Sequence, residues 1–427
     1  MAQLQQSEWW SLDQIQAAQF LQLQSLLKHS FANVPFYQDK LKDSGWNPEE
    51  PLTLASWQHL PVLTRQQVQD TSDALTCKTL SSSHGELGVV HTSGSVGTPI
   101  KVSKTAVSNI IFVAVTLRDH FWHRRNLQGK FAQIRTFPDG VAQYPAGARQ
   151  GSWGGPLEGL YKTGEGVALA ITASIEQQLE WLQRQQPEYL LTFPSVADEL
   201  ARQALLTNTR LESLSQLATV GEALGENSRQ LCRNAFGVDL VDMYSAQEVG
   251  YLALQCPDTE NYHIQSESAY VEVLDENDMP CGPGQVGRVV ATPLQNFATP
   301  LIRYEIGDYA EVGEPCPCGR GLPTLTRVLG RTRNIMTLPD GAKYWPRLSE
   351  LRYGDIVPVQ QFQVVQKSLQ QLEVKLVPAR PVTPEEEQQL ASLINSRIGH
   401  PFAIEFSYHQ QIPRSASGKY EDFRSEL

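Results

Sequence analysis

From about residue 100 to about residue 310, short apolar runs alternate with longer mixed stretches, and this alternation limits the chain to few folds. IIFVAV at 110–115, FAQI at 131–134, YLLTF at 189–193 and DLVDMY at 239–244 have strand length, whereas ASIEQQLEWLQRQ has helical spacing. Such repetition predicts an α/β fold around largely parallel, stacked sheets. The run YVEVLDENDMPCGPGQVGRVVATPL at 270–294 differs: an alternating strand, a polar Pro-Gly turn and a second strand predict an antiparallel β element.

Upstream, residues 12–30 place Ile15, Phe20, Leu23, Leu26 and Leu27 at helical spacing until Val34-Pro35 breaks the pattern. EPCPCGRGLP at 314–323 reads as a loop. After Arg331 the units shorten. QFQVVQKS and QLEVKLVPA read as strands, PEEEQQLASLINSRI as a helix opening on Pro and three acids, and AIEFSYH as another strand. The expected organisation is a large N-terminal unit over 1–331 and a small C-terminal α+β unit over 332–427, joined at a hinge.

The 427 residues are 41% hydrophobic, enough for a sizeable core. A formal charge of −11 with no basic run argues against nucleic-acid and anionic-membrane partners, which are bound by clustered Lys and Arg. The start MAQLQQSEWW has neither the basic nor the apolar region of a signal peptide, and no stretch approaches 18 apolar residues. A cytoplasmic protein is the expectation. Its six cysteines then suit metal binding or burial better than a disulfide framework.

TSGSVGTPIKV at 92–102 crowds Gly, Ser, Thr and Pro ahead of an apolar stretch. It is either a turn or a phosphate cradle, because glycine permits close backbone approach and hydroxyls add donors. It is not a Walker A loop, which needs Gly-Lys-Ser/Thr where this chain has Gly97-Thr98-Pro99.

Five further stretches follow it: TVGEAL at 219–224, DMYSAQEVG at 242–250, LIRYEIGD at 301–308, LGRTRN at 329–334 and IPRSASGKYEDF at 412–423. In that order the six resemble the landmarks of the adenylate-forming enzymes, most closely their phenylacetate-CoA ligase-like branch. The resemblance implies attack of a carboxylate on the α-phosphate of ATP, giving an acyl-adenylate and pyrophosphate. Thr92, Ser93, Gly94, Ser95, Gly97 and Thr98 would hold the outer phosphates, and Gly221, Glu222 and Ala223 would form the adenine side. Tyr244 would offer its ring, with Ser245 beside it. Asp308 would accept from the ribose hydroxyls, Arg331 would stand at the hinge, Glu248 would hold Mg²⁺ and Lys419 would carry the chemistry. The chain departs from the family pattern at Thr98, where Lys is common, at Ser245, at Gln247 and at Asn334.

Cys256-x6-His263 with the remote pair Cys316 and Cys318 offers three thiolates and one imidazole, a set that suits a structural, tetrahedral Zn²⁺. The same four can also be read as unrelated residues, with His263 a strand histidine. For the acid, the resemblance points to a pocket walled by Phe137, Trp153, Gly154, Pro194, Ser195 and Ala246, which suits an aryl or arylacetic acid. The expected acceptor is CoA. The alternatives are an amine or a carrier-protein thiol, and, from another class, a nucleotide-binding protein without catalysis. A homodimer is the assembly to consider.

Overall fold

The computed structural model describes residues 1–91, 99–155, 161–346, 348, 351, 353–415 and 418–427. Twelve strands form one continuous sheet. In spatial order its central part runs Gly166–Ala170, Phe131–Arg135, Tyr189–Thr192, Gln216–Val220, Asp239–Ala246, all parallel. Numbered by sequence, that order is 2-1-3-4-5. The chain therefore reverses direction across the sheet between Phe131–Arg135 and Tyr189–Thr192, and ligands bind outside the carboxyl ends of strands at such a reversal.

Past Asp239–Ala246 the sheet turns antiparallel through Gly250–Gln255, Tyr262–Ile264, Thr324–Arg331, Tyr304–Val312, Val286–Pro293 and Ala269–Leu274. The expected hairpin over 270–294 is its edge. The β element and the parallel part thus share one hydrogen-bonded ladder. The helices Ile175–Gln185, Pro194–Thr207 and Ser228–Phe236 cover the parallel part and close a core around Trp181, Leu182, Leu200 and Leu217.

The helix Leu12–Asn33 begins at a capping box formed by Ser11 and Gln14. It buries Leu23, Leu26 and Leu27 completely, each worth roughly 1.5–3 kcal/mol of transfer free energy. One apolar run departs from expectation. Residues 110–115 read as a strand but lie inside the helix Ala106–Trp122, capped by Thr105, whose hydroxyl accepts from the Ser108 amide. Six apolar residues fit a buried strand and one side of a helix equally well, and the cap decides.

The C-terminal residues have their own core of Met336, Leu348, Val364, Leu376, Leu390, Ile394 and Phe423. The strands Val359–Gln366, Gln371–Pro378, Ala403–Tyr408 and Phe423–Ser425 form a four-stranded sheet. The helix Pro384–Ile398 starts with Pro and Glu385, Glu386 and Glu387 against its positive end, as the sequence predicts. No helix among the described residues is long and apolar enough to cross a membrane.

Candidate active site

A cleft of about 870 Å³ opens at the carboxyl ends of the parallel strands. Gly221, Glu222, Ala223, Tyr244, Ser245, Glu248, Asp308, Arg331 and Lys419 all line it. Residues from five of the sequence landmarks therefore face one space. The sixth, Thr92 to Thr98, lies outside the described residues. Its flanking strands Leu87–His91 and Lys101–Thr105 pair antiparallel, with His91 opposite Lys101.

Tyr244 is buried and donates from its hydroxyl to Asp308 Oδ2 at 2.9 Å. Burial and the Asp308 charge both push the phenol pKa well up, so it is a neutral donor. Asp308 and Arg331 are register partners on adjacent strands, with Arg331 Nε 3.6 Å from Asp308 Oδ1. Phenol, carboxylate and guanidinium form a fixed row. Asn334 Oδ1 accepts from the Arg331 amide and its Nδ2 donates to Phe423 O at 2.8 Å, tying the hinge segment to the C-terminal sheet. An Asp there could not make the second bond.

Glu248 is buried where the chain turns between Asp239–Ala246 and Gly250–Gln255. Its Oε1 accepts from Tyr304 at 3.2 Å and lies 3.8 Å from Arg65. Lys104 lines the same cleft within reach of the Glu248 charge. A buried carboxylate facing a cleft is a fitting donor for a hard divalent cation.

Lys419 enters from the C-terminal side. Gly221, at φ +93°, permits its approach: a Cβ there would stand 3.5 Å from Lys419 Cε and 3.2 Å from the Phe193 ring. Burial, then the neighbouring Arg331, lowers the amine's pKa, while Asp308 and Glu222 raise it. Arg414 fastens this segment, donating to Ser195 Oγ at 2.7 Å and Glu199 Oε1 at 3.1 Å and standing 3.8 Å from Glu222 Oε1. Glu222 accepts from the Ser195 amide at 3.0 Å and the Tyr420 amide at 2.6 Å. Its carboxylate, expected on the adenine side, is occupied by holding the lysine segment down.

The acid pocket needs correction. Pro194, Ser195 and Ala246 line the cleft, but Phe137, Trp153 and Gly154 do not. Trp153 packs at the amino end of the strands, its ring 5.5 Å from Phe131 and 4.6 Å from His120. The space left by Gly154 is filled by Thr163, and its amide donates to Thr163 Oγ1 at 2.9 Å. Phe137 is half-buried and outside the cleft lining. Rings on the large unit that do line the cleft include Phe193 and Phe112, the latter stacked on Tyr251 at 4.7 Å and 15°. Arg135, Glu199, Arg414 and Tyr420 were also missed. Arg135 and Phe193 were findable, since each ends an apolar strand at the carboxyl edge of a parallel sheet.

The second site is closed. Cys256, His263, Cys316 and Cys318 bring their ligand atoms within 4.8 Å of one another. Cys256 Sγ and Cys316 Sγ are 3.7 Å apart, and Cys318 Sγ is 3.3 Å from His263 Nε2. Tetrahedral Zn–S bonds of about 2.3 Å would separate two sulfurs by about 3.8 Å. His263 Nδ1 faces Leu322 O at 3.3 Å, which orients the ring with Nε2 toward the thiols. The donor set fits Zn²⁺.

Residues 353–425 match the family described as the CapK C-terminal domain. The chain is 26% identical to a phenylacetate-coenzyme A ligase of Thermus thermophilus, with 95% of each covered. It is 24% identical to the phenylacetate-coenzyme A ligase of Escherichia coli, over 95% of this chain and 93% of that one. Its fold matches that of a 2-hydroxyisobutyryl-CoA ligase in the postadenylation state with 2-HIB-AMP, with TM-score 0.77 and 18% identity, covering 97% of this chain and 90% of that chain. Along almost its whole length the sequence is similar to phenylacetate-coenzyme A ligases, and the fold is that of a 2-hydroxyisobutyryl-CoA ligase.

Proposed function

We propose that this protein activates a carboxylic acid with ATP and passes the acyl group to CoA. The acid's oxygen attacks the α-phosphorus, the bond to the β-phosphate oxygen breaks, and pyrophosphate leaves. The CoA thiolate then attacks the acyl carbon and AMP departs. One observation carries the reading: Lys419, from the C-terminal unit, shares a cleft with Tyr244, Glu248, Asp308 and Arg331.

Two anions must meet in the first step, so fixed positive charge is the main requirement. Lys419 supplies it at the α-phosphate and the attacking carboxylate. Asp308, held by Tyr244 and Arg331, receives the ribose. Ser245 and the backbone of Gly221 and Ala223 flank the base. Glu248 would hold Mg²⁺, which neutralises phosphate charge when bound. Thr92, Ser93, Gly94, Ser95, Gly97 and Thr98 remain the proposed grip on the outer phosphates.

The rings of Phe112 and Phe193 on the cleft wall favour an aryl or arylacetic acid. The hinge near Arg331 would let the unit after it turn between the two steps. Zn²⁺ on Cys256, His263, Cys316 and Cys318 would fasten two loops and leave no open position for catalysis.

The test is acid-dependent ATP–pyrophosphate exchange across aryl, arylacetic and aliphatic acids, followed by product analysis with CoA. Exchange with one class and a CoA thioester as product is expected. ATP binding without exchange for any acid would sink the adenylation reading. An adenylate that reacts only with an amine or a carrier thiol would sink the CoA step.

A further inference from the structure

Arg135 ends the strand Phe131–Arg135 and lines the cleft, beside Phe193, which follows the neighbouring strand Tyr189–Thr192. These are the two strands between which the sheet order reverses. The guanidinium lies over the Phe193 ring, 4.7 Å from its centroid. A cation–π contact uses the guanidinium's charge without consuming its N–H donors, which stay available to an acceptor.

Two deeply buried arginines of the large unit are paired: Arg118 donates to Gln265, Glu267 and Leu4 O, and Arg303 to Glu272 and two carbonyls. Arg135 is half-buried on the cleft wall, and among the described residues its guanidinium has neither an ion pair nor a hydrogen bond. The carboxylate whose charge reaches it, Glu222, is already taken by Arg414 and two backbone amides. A cation partly withdrawn from water gains when a ligand enters the cleft with its own negative charge.

Building on the adenylation reading, we propose that Arg135 sets specificity: the acid activated here carries a second carboxylate, which pairs with the Arg135 guanidinium while the first is adenylated. Phe193 against that cation, and Phe112 elsewhere on the cleft wall, supply flat apolar surface, so an aromatic dicarboxylic acid combines both demands. Phenylacetate lacks the second charge and leaves Arg135 uncompensated.

Matched acids with and without the second carboxylate test this: phenylacetate against 4-carboxyphenylacetate, and benzoate against the benzenedicarboxylates. Both exchange kinetics and calorimetric binding without ATP are measured on the full chain, as wild type, Arg135→Gln and Arg135→Lys. Wild type is expected to favour at least one diacid over its partner by about tenfold or more, the worth of one charged hydrogen-bond pair. Arg135→Gln should lower the diacid's kcat/KM and affinity at least about tenfold more than the monoacid's, with part of the preference kept by Arg135→Lys. Equal losses for both members of a pair, or no diacid preference in wild type, overturn the proposal. Arg135-dependent diacid binding without exchange would retain it while removing the adenylation reading.

Discussion

The Cys/His cluster and the lysine segment both fasten a loop to the large unit, yet only one can let go. Three thiols and an imidazole converge within 4.8 Å in a closed, buried set. The lysine segment is held by Arg414 on Ser195, Glu199 and Glu222, and by the Tyr420 amide on Glu222, along the edge of an open cleft. Zinc in the cluster would hold its loop through persistent thiolate bonds, whereas the Arg414 ion pairs and hydrogen bonds can exchange one at a time. On the proposed reading, the loop that only supports the site is stapled, and the one that leaves between the two chemical steps is tethered.

Breaking the staple should have the largest effect on stability. Cys316→Ser, or prolonged chelation of the wild type, is expected to lower Tm sharply and release about one zinc per chain, a loss of several kcal/mol of folding free energy. Zinc content by elemental analysis and a thermal scan check it. A protein that purifies without zinc and is indifferent to chelator contradicts the stapling role.

Breaking the tether should cost activity instead. Arg414→Ala removes the cation between Glu199 and Glu222, and exchange should fall about tenfold while Tm changes little by comparison. High salt should narrow the gap from wild type. A large drop in Tm with unaltered exchange would make Arg414 another staple.

A smaller effect is expected on the nucleotide. Tyr244→Phe deletes the 2.9 Å bond to Asp308 and should raise the KM for ATP about fivefold, the worth of roughly 1 kcal/mol, with little change in kcat. An effect confined to kcat would move Tyr244 away from ribose positioning.

The smallest is a shift along the pH axis. Burial and Arg331 lower the Lys419 pKa, so the protonated amine is lost, and exchange with it, at a lower pH than for an ordinary lysine. Arg331→Gln removes the larger of the two neighbouring cations that lower it, the other being Arg135, and should move the alkaline limb upward, whatever its effect on nucleotide affinity. An unmoved limb would detach it from Lys419.

The sequence brought the residues proposed for the nucleotide into one cleft and did not do so for those proposed for the acid, for a physical reason. Tyr244, Asp308, Arg331 and Lys419 each sit in a short stretch whose backbone and side chains act together, so the order of stretches carries the information. The proposed acid wall draws on Phe112 in a helix and Arg135 and Phe193 at the ends of two strands, and no stretch contains two of them. Trp153 and Gly154 suggested an aromatic wall by composition, yet their strand neighbours lie at the other end of the sheet. The C-terminal unit was read well because its elements are short, alternate cleanly and carry explicit caps such as Thr383 before Pro384. Residues 110–115 were misread because a six-residue apolar run has no period of its own.

The most direct measurement compares two half-reactions in Lys419→Ala. Acid-dependent ATP–pyrophosphate exchange should fall by about 10²–10³-fold, as expected when a fixed charge is removed from a developing anion. Thioester formation from supplied acyl-adenylate and CoA should change far less, because the tethered segment serves only the first step. Exchange that survives the substitution, or equal loss in both halves, would contradict Lys419 as the residue of adenylation.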